Sequence, residues 1–267
     1  PRLLDVLRGG EFVGNRLRYK VKVINQSELV ITDVSVTLIS FPRESLRLEG
    51  GSSKSLPKLE PKGFRSPTFD FLPTQDCVRG DIIASVSFVD STGSAHSITT
   101  EPYTVRAVCD LLQPENISSS DFEMRLSQMT HGEMTSKVHD WTPDEMYTKT
   151  LQILESSNFS VVQSSISTAE GMTEGQVEGW AKGKYTGKNI GIRVLITGRS
   201  GERGASAKIT MSGEDSAMIL PAIDEITQKL AAWLCPMCGG KLPLQSVDEL
   251  KDGKSVPCPF CGVAIDR

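Results

Sequence analysis

The sequence predicts a mixed β and α+β protein: an immunoglobulin-like β-sandwich over residues 1–112, a linker over 113–120, an α+β domain on an antiparallel sheet over 121–234, and a C-terminal zinc ribbon over 235–267. Three observations carry this prediction. Residues 16–108 form a succession of short period-two runs separated by turn residues, with no convincing helix among them. Residues 142–233 combine helix signals with three consecutive alternating strands. The last 33 residues hold two CxxC pairs.

Size and charge bound the function. At 267 residues and 38% hydrophobic content the chain can build about two domains, each with its own core. A net charge of −4 excludes a uniformly basic nucleic-acid binder, although it leaves room for a local basic patch. No apolar run approaches the roughly 18–20 residues that span a bilayer, so a soluble chain is expected. Paired CxxC motifs favour metal-bound thiolates over disulfides, which points to a reducing, cytoplasmic compartment.

In the first domain the strand candidates are RLRYKVKVIN, LVITDVSVTLIS, FRSPTFDFL, GDIIASVSFVD and SAHSITTEPYTVRAV. Turns at Asn25–Ser27, Glu49–Ser52, Pro61–Gly63 and Asp90–Gly93 separate them. Cys77 and Cys109 read as buried, reduced thiols, with a pairing between them as the alternative. QPENISSS, polar and turn-rich, supplies the linker.

In the second domain DFEMRL reads as a short strand. Thr142-Pro143-Asp144-Glu145 is a capping box with Pro in the first turn, and Met146, Thr150, Ile153 and Leu154 mark the buried stripe of the helix it starts. FSVVQSSIST is a further strand. From Gln176 to Gly213 three strands follow, with Ile190, Ile192, Val194 and Ile196 on one face of the middle strand and Ala205, Ala207, Ile209 and Met211 on one face of the third. In the first of the three, Val177, Gly179 and Ala181 alternate with Glu178, Trp180 and Lys182, which leaves Trp180 on the polar side. Ala222, Ile223, Ile226, Leu230 and Trp233 recur at helical spacing, with Pro221 in the first turn or at a kink.

Cys235-x-x-Cys238 and Cys258-x-x-Cys261, nineteen residues apart, present four thiolates to a single structural zinc ion. Gly239-Gly240 and Gly262 follow the second Cys of each pair, where tight turns need backbone freedom. Such a shell has no open coordination position and supports structure rather than catalysis. Residues 235–267 carry four basic and four acidic side chains, so this segment is expected to contact protein rather than a phosphate backbone.

No catalytic constellation stands out, and a non-enzyme is expected. His96, His131 and His139 are scattered, and GKYTGKN lacks the length and the Ser or Thr of a phosphate loop and reads as a hairpin turn.

The succession of a sandwich, DFEMRL, a capped helix, LQILESSNFSVV, VEGWAKGKYTGKNIGIRVLITG and AKITMSGEDSAMILPAIDEI resembles the appendage, or ear, of vesicle-coat large subunits, most closely that of the coatomer gamma subunit. The resemblance spans residues 16 to about 230. It implies a sandwich packed on a platform domain that recruits proteins through short peptide motifs. The family's helical trunk is missing and the zinc ribbon is an addition, so the chain reads as a stand-alone relative, with an archaeal source as one expectation. The family's peptide-anchoring platform Trp aligns with Leu126, its surface Arg with Arg193, and a second basic position with Ser212.

The expected function is therefore a non-catalytic module that binds protein or peptide partners, with Trp180, Arg193 and Leu126 on an outward platform face. For Trp180 the competing expectation is burial under the sandwich or the ribbon. A nucleic-acid binder is the alternative function, because residues 176–210 carry seven basic side chains against two acidic ones.

Overall fold

A computed structural model describes residues 3–233, 235, 242–259 and 262–266. The chain divides into two compact units, the first ending at Ala107 and the second starting at Val108.

The first unit contains β1 (Leu4–Val13), β2 (Arg16–Asn25), β3 (Thr32–Ser40), β4 (Leu46–Glu49), β5 (Ser53–Leu56), β6 (Phe64–Arg65), β7 (Thr68–Pro73), β8 (Val78–Val89), β9 (Ala95–Thr99) and β10 (Tyr103–Ala107). They form two antiparallel five-stranded sheets. One has the order β1-β2-β7-β4 with β6 also on β2, and the other the order β10-β8-β3-β5 with β9 on β8. Period-two alternation works as expected: Leu17, Tyr19, Val21 and Val23 of β2 are buried, as are Ile82, Ala84, Val86 and Phe88 of β8. Tyr103 of β10 lies 5.8 Å from the Tyr19 ring of β2 and so ties the two sheets together. β1 lies outside the strands expected from sequence because Gly9 and Gly10 interrupt its apolar run. Gly10 is required there, since a Cβ would fall 2.7 Å from the Tyr103 ring. Cys77 is half-buried rather than buried, whereas Cys109 is buried as expected.

The second unit opens with a 3-10 turn and continues as β11 (Leu112–Pro114), α1 (Ser119–Leu126), β12 (Thr130–Val138), α2 (Pro143–Ser156), β13 (Ser160–Ala169), β14 (Met172–Gly183), β15 (Asn189–Arg199), β16 (Ala205–Gly213) and α3 (Ser216–Ala231). Residues 113–120 are therefore not a linker: β11 pairs with β14, Pro114 opposite Ala181, and α1 begins at Ser119. DFEMRL is helix rather than strand. Ser118 caps it by accepting the Asp121 amide, and Phe122 and Leu126, four residues apart, share one face.

The sheet order is β11-β14-β15-β16-β12, all antiparallel, with β13 beside β14. α2 starts from the expected capping box, Thr142 accepting the Glu145 amide and Glu145 the Thr142 amide. α3 starts at Ser216 with Asp215 as its cap, so Pro221 sits inside the helix, beyond its first turn. Both helices cover one face of the sheet, where Val177, Ile190, Ile192, Val194, Ile196, Ile209 and Met211 are fully buried. Burying such a side chain contributes roughly 1.5–3 kcal/mol. Glycines let the helices approach closely: a Cβ at Gly132 would meet Ile219 of α3 at 2.9 Å, and one at Gly175 would meet Tyr147 of α2 at 2.9 Å.

Between the two CxxC pairs lie α4 (Leu244–Lys251) and β17 (Val256–Pro257), and β18 (Ala264–Ile265) pairs with β17 after the second. A helix thus occupies the spacer of the expected ribbon.

Candidate functional site

The sheet register fixes which side chains share the second face of the platform. Trp180 of β14 lies opposite Gly191 of β15, Glu178 opposite Arg193, Gln176 opposite Leu195, and Arg193 opposite Thr210 of β16. Leu195, Thr197 and Thr210 are half-buried and Lys208 is exposed. α2 and α3 do not reach this side, and α1 covers one end of it.

Trp180 is on the outward face, as the alternation predicts, but it is not exposed: its relative accessibility is 0%. Neither the sandwich nor the ribbon is needed to explain this, because α1 lies over it. Phe122 meets the indole edge-on, with ring centroids 6.0 Å apart at 76°. The indole N–H donates to Glu115 (3.1 Å), which also accepts from Lys182 (3.0 Å). The Lys182 and Trp180 hydrogen bonds hold the Glu115 carboxyl below the usual carboxylate range.

Arg193 is one-third exposed and already engaged. Its Nε donates to Glu178 (2.5 Å), its terminal nitrogen pairs with Glu123 of α1, and its guanidinium lies 6.0 Å from the Phe122 ring. Glu178 is fully buried. Its Oε1 also accepts from Gln176 (2.8 Å), while its Oε2 has no hydrogen-bond partner among the described residues. Leu126, placed on a strand by the family alignment, belongs instead to α1 and is half-buried over Gly191. The structure therefore brings the three candidates together, as one packed cluster rather than an exposed patch. Sequence reasoning missed Phe122, Glu123 and Glu178. The signals available were the four-residue spacing of Phe122 and Leu126 and the shared face of Glu178 and Trp180.

Five of the seven basic residues of 176–210 are paired with carboxylates. Lys182 pairs with Glu115, Lys188 with Asp215, Arg193 with Glu178 and Glu123, Arg199 with Glu202, and Lys208 with Glu133. Exposed pairs of this kind hold little energy, and they reduce the positive field a polyanion would meet there.

At the C-terminus, Cys235 and Cys258 are 1% and 3% exposed in one apolar cluster with Trp233, Leu242, Val247, Leu250, Val256 and Ile265. Cys238 and Cys261 lie outside the described residues. Two backbone bonds lie beside these cysteines: Leu242 N–H to Trp233 C=O (2.8 Å), and Cys258 N–H to Val263 C=O (2.8 Å). Within the second, Gly262 (φ +74°) donates to the Cys258 carbonyl (2.9 Å). Two buried thiols in one cluster, each the first Cys of a CxxC motif, supply half of the donor set that a closed zinc site needs. Among the described residues no group of three or more ligating side chains is formed.

A Trp pair joins this segment to the platform. Trp141 and Trp233 have ring centroids 4.5 Å apart, Trp233 donates to Asp140 (3.2 Å), and Asp140 pairs with Lys251 of α4 (3.3 Å). Beneath them the buried Lys149 donates to the Leu230 carbonyl (2.7 Å) and to that of Ala232, capping the end of α3. Burial pushes its amine down to about 8.

No protein-family model matches the chain, and no curated protein does. Among solved structures, it is similar to a GH20 exo-β-N-acetylglucosaminidase from Vibrio harveyi (9% identity, TM-score 0.22, covering 79% of this chain and 40% of that one). It is also similar to a DUF4466 family protein from Parabacteroides merdae (9% identity, TM-score 0.22, covering 78% and 97%). The chain spans about two fifths of the glycosidase it matches. These scores carry no conclusion about function.

Proposed function

We propose that the chain is a non-catalytic interaction module that binds protein or peptide partners on the second face of its platform sheet. One observation carries the reading. A long antiparallel sheet is buried under α2 and α3 on one side, while its other side presents Gln176, Leu195, Thr197, Lys208 and Thr210 with a single short helix at one end. On this side a half-buried aliphatic residue, Leu195, lies among threonine hydroxyls and the exposed Lys208, a mixture of apolar and polar groups of the kind non-obligate interfaces bury. The order of a two-sheet unit before an α+β unit supports the resemblance to vesicle-coat appendages, with an immunoglobulin-like sandwich as the first part.

In this reading Cys235, Cys238, Cys258 and Cys261 hold one zinc ion, as a zinc ribbon with a helix in its spacer. The ion supplies structure to a segment of some thirty residues, a size at which an apolar core alone is rarely sufficient. Through Trp233 and Asp140 the ordered segment is braced against the platform.

The test is capture from native lysate by wild type and by a Leu195→Arg, Thr197→Glu variant, which changes only outward side chains. Partners held by wild type and lost by the variant are expected. Partners held equally by both, or a complex with RNA or DNA that dissolves steeply with salt, contradict the reading.

A further inference from the structure

β13 is an open edge of the platform sheet. Among the described residues it pairs with β14 and with no other strand, so every second N–H and C=O along its far side lacks a partner in the sheet. The register with β14 slips between Val161 and Gln163, and from Gln163 to Ala169 the strand runs regularly with every residue exposed. That stretch, QSSISTA, holds no charged side chain and no proline. Other edge strands are guarded by charge: β1 carries Asp5, Arg8 and Glu11, β5 carries Lys54, and β12 carries Glu133 and Lys137. An exposed, regular edge without such guards is a template for the addition of another strand.

We propose that the strand added there is β13 of a second copy of this chain, so that two platform sheets join edge to edge in a homodimer. Symmetry selects this occupant. A two-fold axis perpendicular to the sheet sets two identical strands antiparallel, and Ile166 is the centre of the exposed stretch. With the axis at Ile166, Ile166 meets its own copy, Ser165 meets Ser167, Ser164 meets Thr168 and Gln163 meets Ala169. No like charges face each other, and hydroxyls stand opposite hydroxyls, a favourable cross-strand pairing. A foreign strand would meet serines and threonines that offer little to select its side chains, whereas a second copy is selected by its matching register. The same axis keeps the helix-covered faces of both sheets on one side. Ile166 lies on that face, opposite Gly175, over which Tyr147 of α2 is packed. Pairing therefore brings the two Ile166 side chains, each 39% exposed in the single chain, together beside the two Tyr147 rings and removes apolar surface from water.

An edge-to-edge contact of this length is a small interface, so self-association is read by sedimentation equilibrium of the full chain at roughly 10–300 µM. The apparent mass of wild type is expected to rise across that range from that of one chain toward that of two. A Ser165→Lys, Ser167→Lys protein sets lysine against lysine across the axis and is expected to associate at least tenfold more weakly, and a Ser165→Glu, Ser167→Glu protein likewise. An equimolar mixture of these two proteins is expected to dimerise, because each lysine then faces a glutamate. Recovery in the mixture cannot come from variants that fail to fold. A wild-type chain that stays monomeric throughout, whatever else its edge binds, overturns the proposal. So does a lysine variant that dimerises as wild type does, or a mixture no more associated than its two components. None of these measurements involves a partner protein, so the outcome is separate from that of the proposed function, which is read on partner capture.

Discussion

Gly191 shows how one missing side chain organises a surface. A Cβ there would stand 2.7 Å from a Leu126 methyl and 3.0 Å from the Trp180 ring. The methyl can swing aside, but the indole, pinned by Glu115 and Phe122, cannot. Gly191→Ala is expected to cost about 1–3 kcal/mol and to loosen α1, read as faster amide exchange over residues 119–126 with β15 still protected. Lys149 makes a second prediction at this scale. Its folded pKa of about 8 lies below the ordinary 10.5, so from pH 8 to 10.5 the unfolded chain binds more protons than the folded one, and stability rises with pH. Relative to Lys149→Met, wild type should gain up to about 3 kcal/mol across that window. Urea midpoints of the two proteins at pH 7 and pH 10 check the sign, and the rise that burial gives the Cys109 thiol cancels because both proteins carry it. Residue-level features were legible where pattern alone decides them. Alternation assigned Trp180 to the right face, and burial was one of its two expectations, but the cover is α1 rather than the sandwich or the ribbon, a tertiary fact that no period in β14 records.

Among the elements, those with a strong local signal were readable. Thr142 and Glu145 announce α2 through their reciprocal bonds to backbone amides, and Thr142→Ala should lower stability by about 1 kcal/mol in thermal or urea unfolding. β14, β15 and β16 follow their alternation residue by residue. β12 was not legible: it is an edge strand, THGEMTSKV, with Val138 its one buried residue, so it lacks the apolar rhythm that marks a half-buried strand. α1 was read as a strand because six residues of mixed character fit either period, and the Ser118 cap that settles the matter lies just outside them. That misassignment also carried Leu126 to the wrong structural context in the family alignment.

For the molecule as a whole, the mixed β and α+β class was legible, and the domain boundary was misplaced by several residues because β11 uses polar, Pro-containing sequence to pair with β14. Among the described residues no helix is long and apolar enough to cross a membrane. The four-cysteine segment predicts one tightly bound zinc ion per chain, measurable by elemental analysis. Chelation should accelerate exchange over residues 242–259 while α2, α3 and β14–β16 stay protected, because α4, β17 and the buried Cys235 and Cys258 share a small cluster of their own. A metal-free chain with unchanged exchange there would contradict the zinc assignment. The central claim is that the open platform face binds a partner. Its most direct measurement is calorimetric titration of a purified captured partner into wild type and into the Leu195→Arg, Thr197→Glu protein. The account predicts at least a tenfold weaker Kd for the variant with its thermal stability unchanged, and an identical Kd for the two proteins would contradict it.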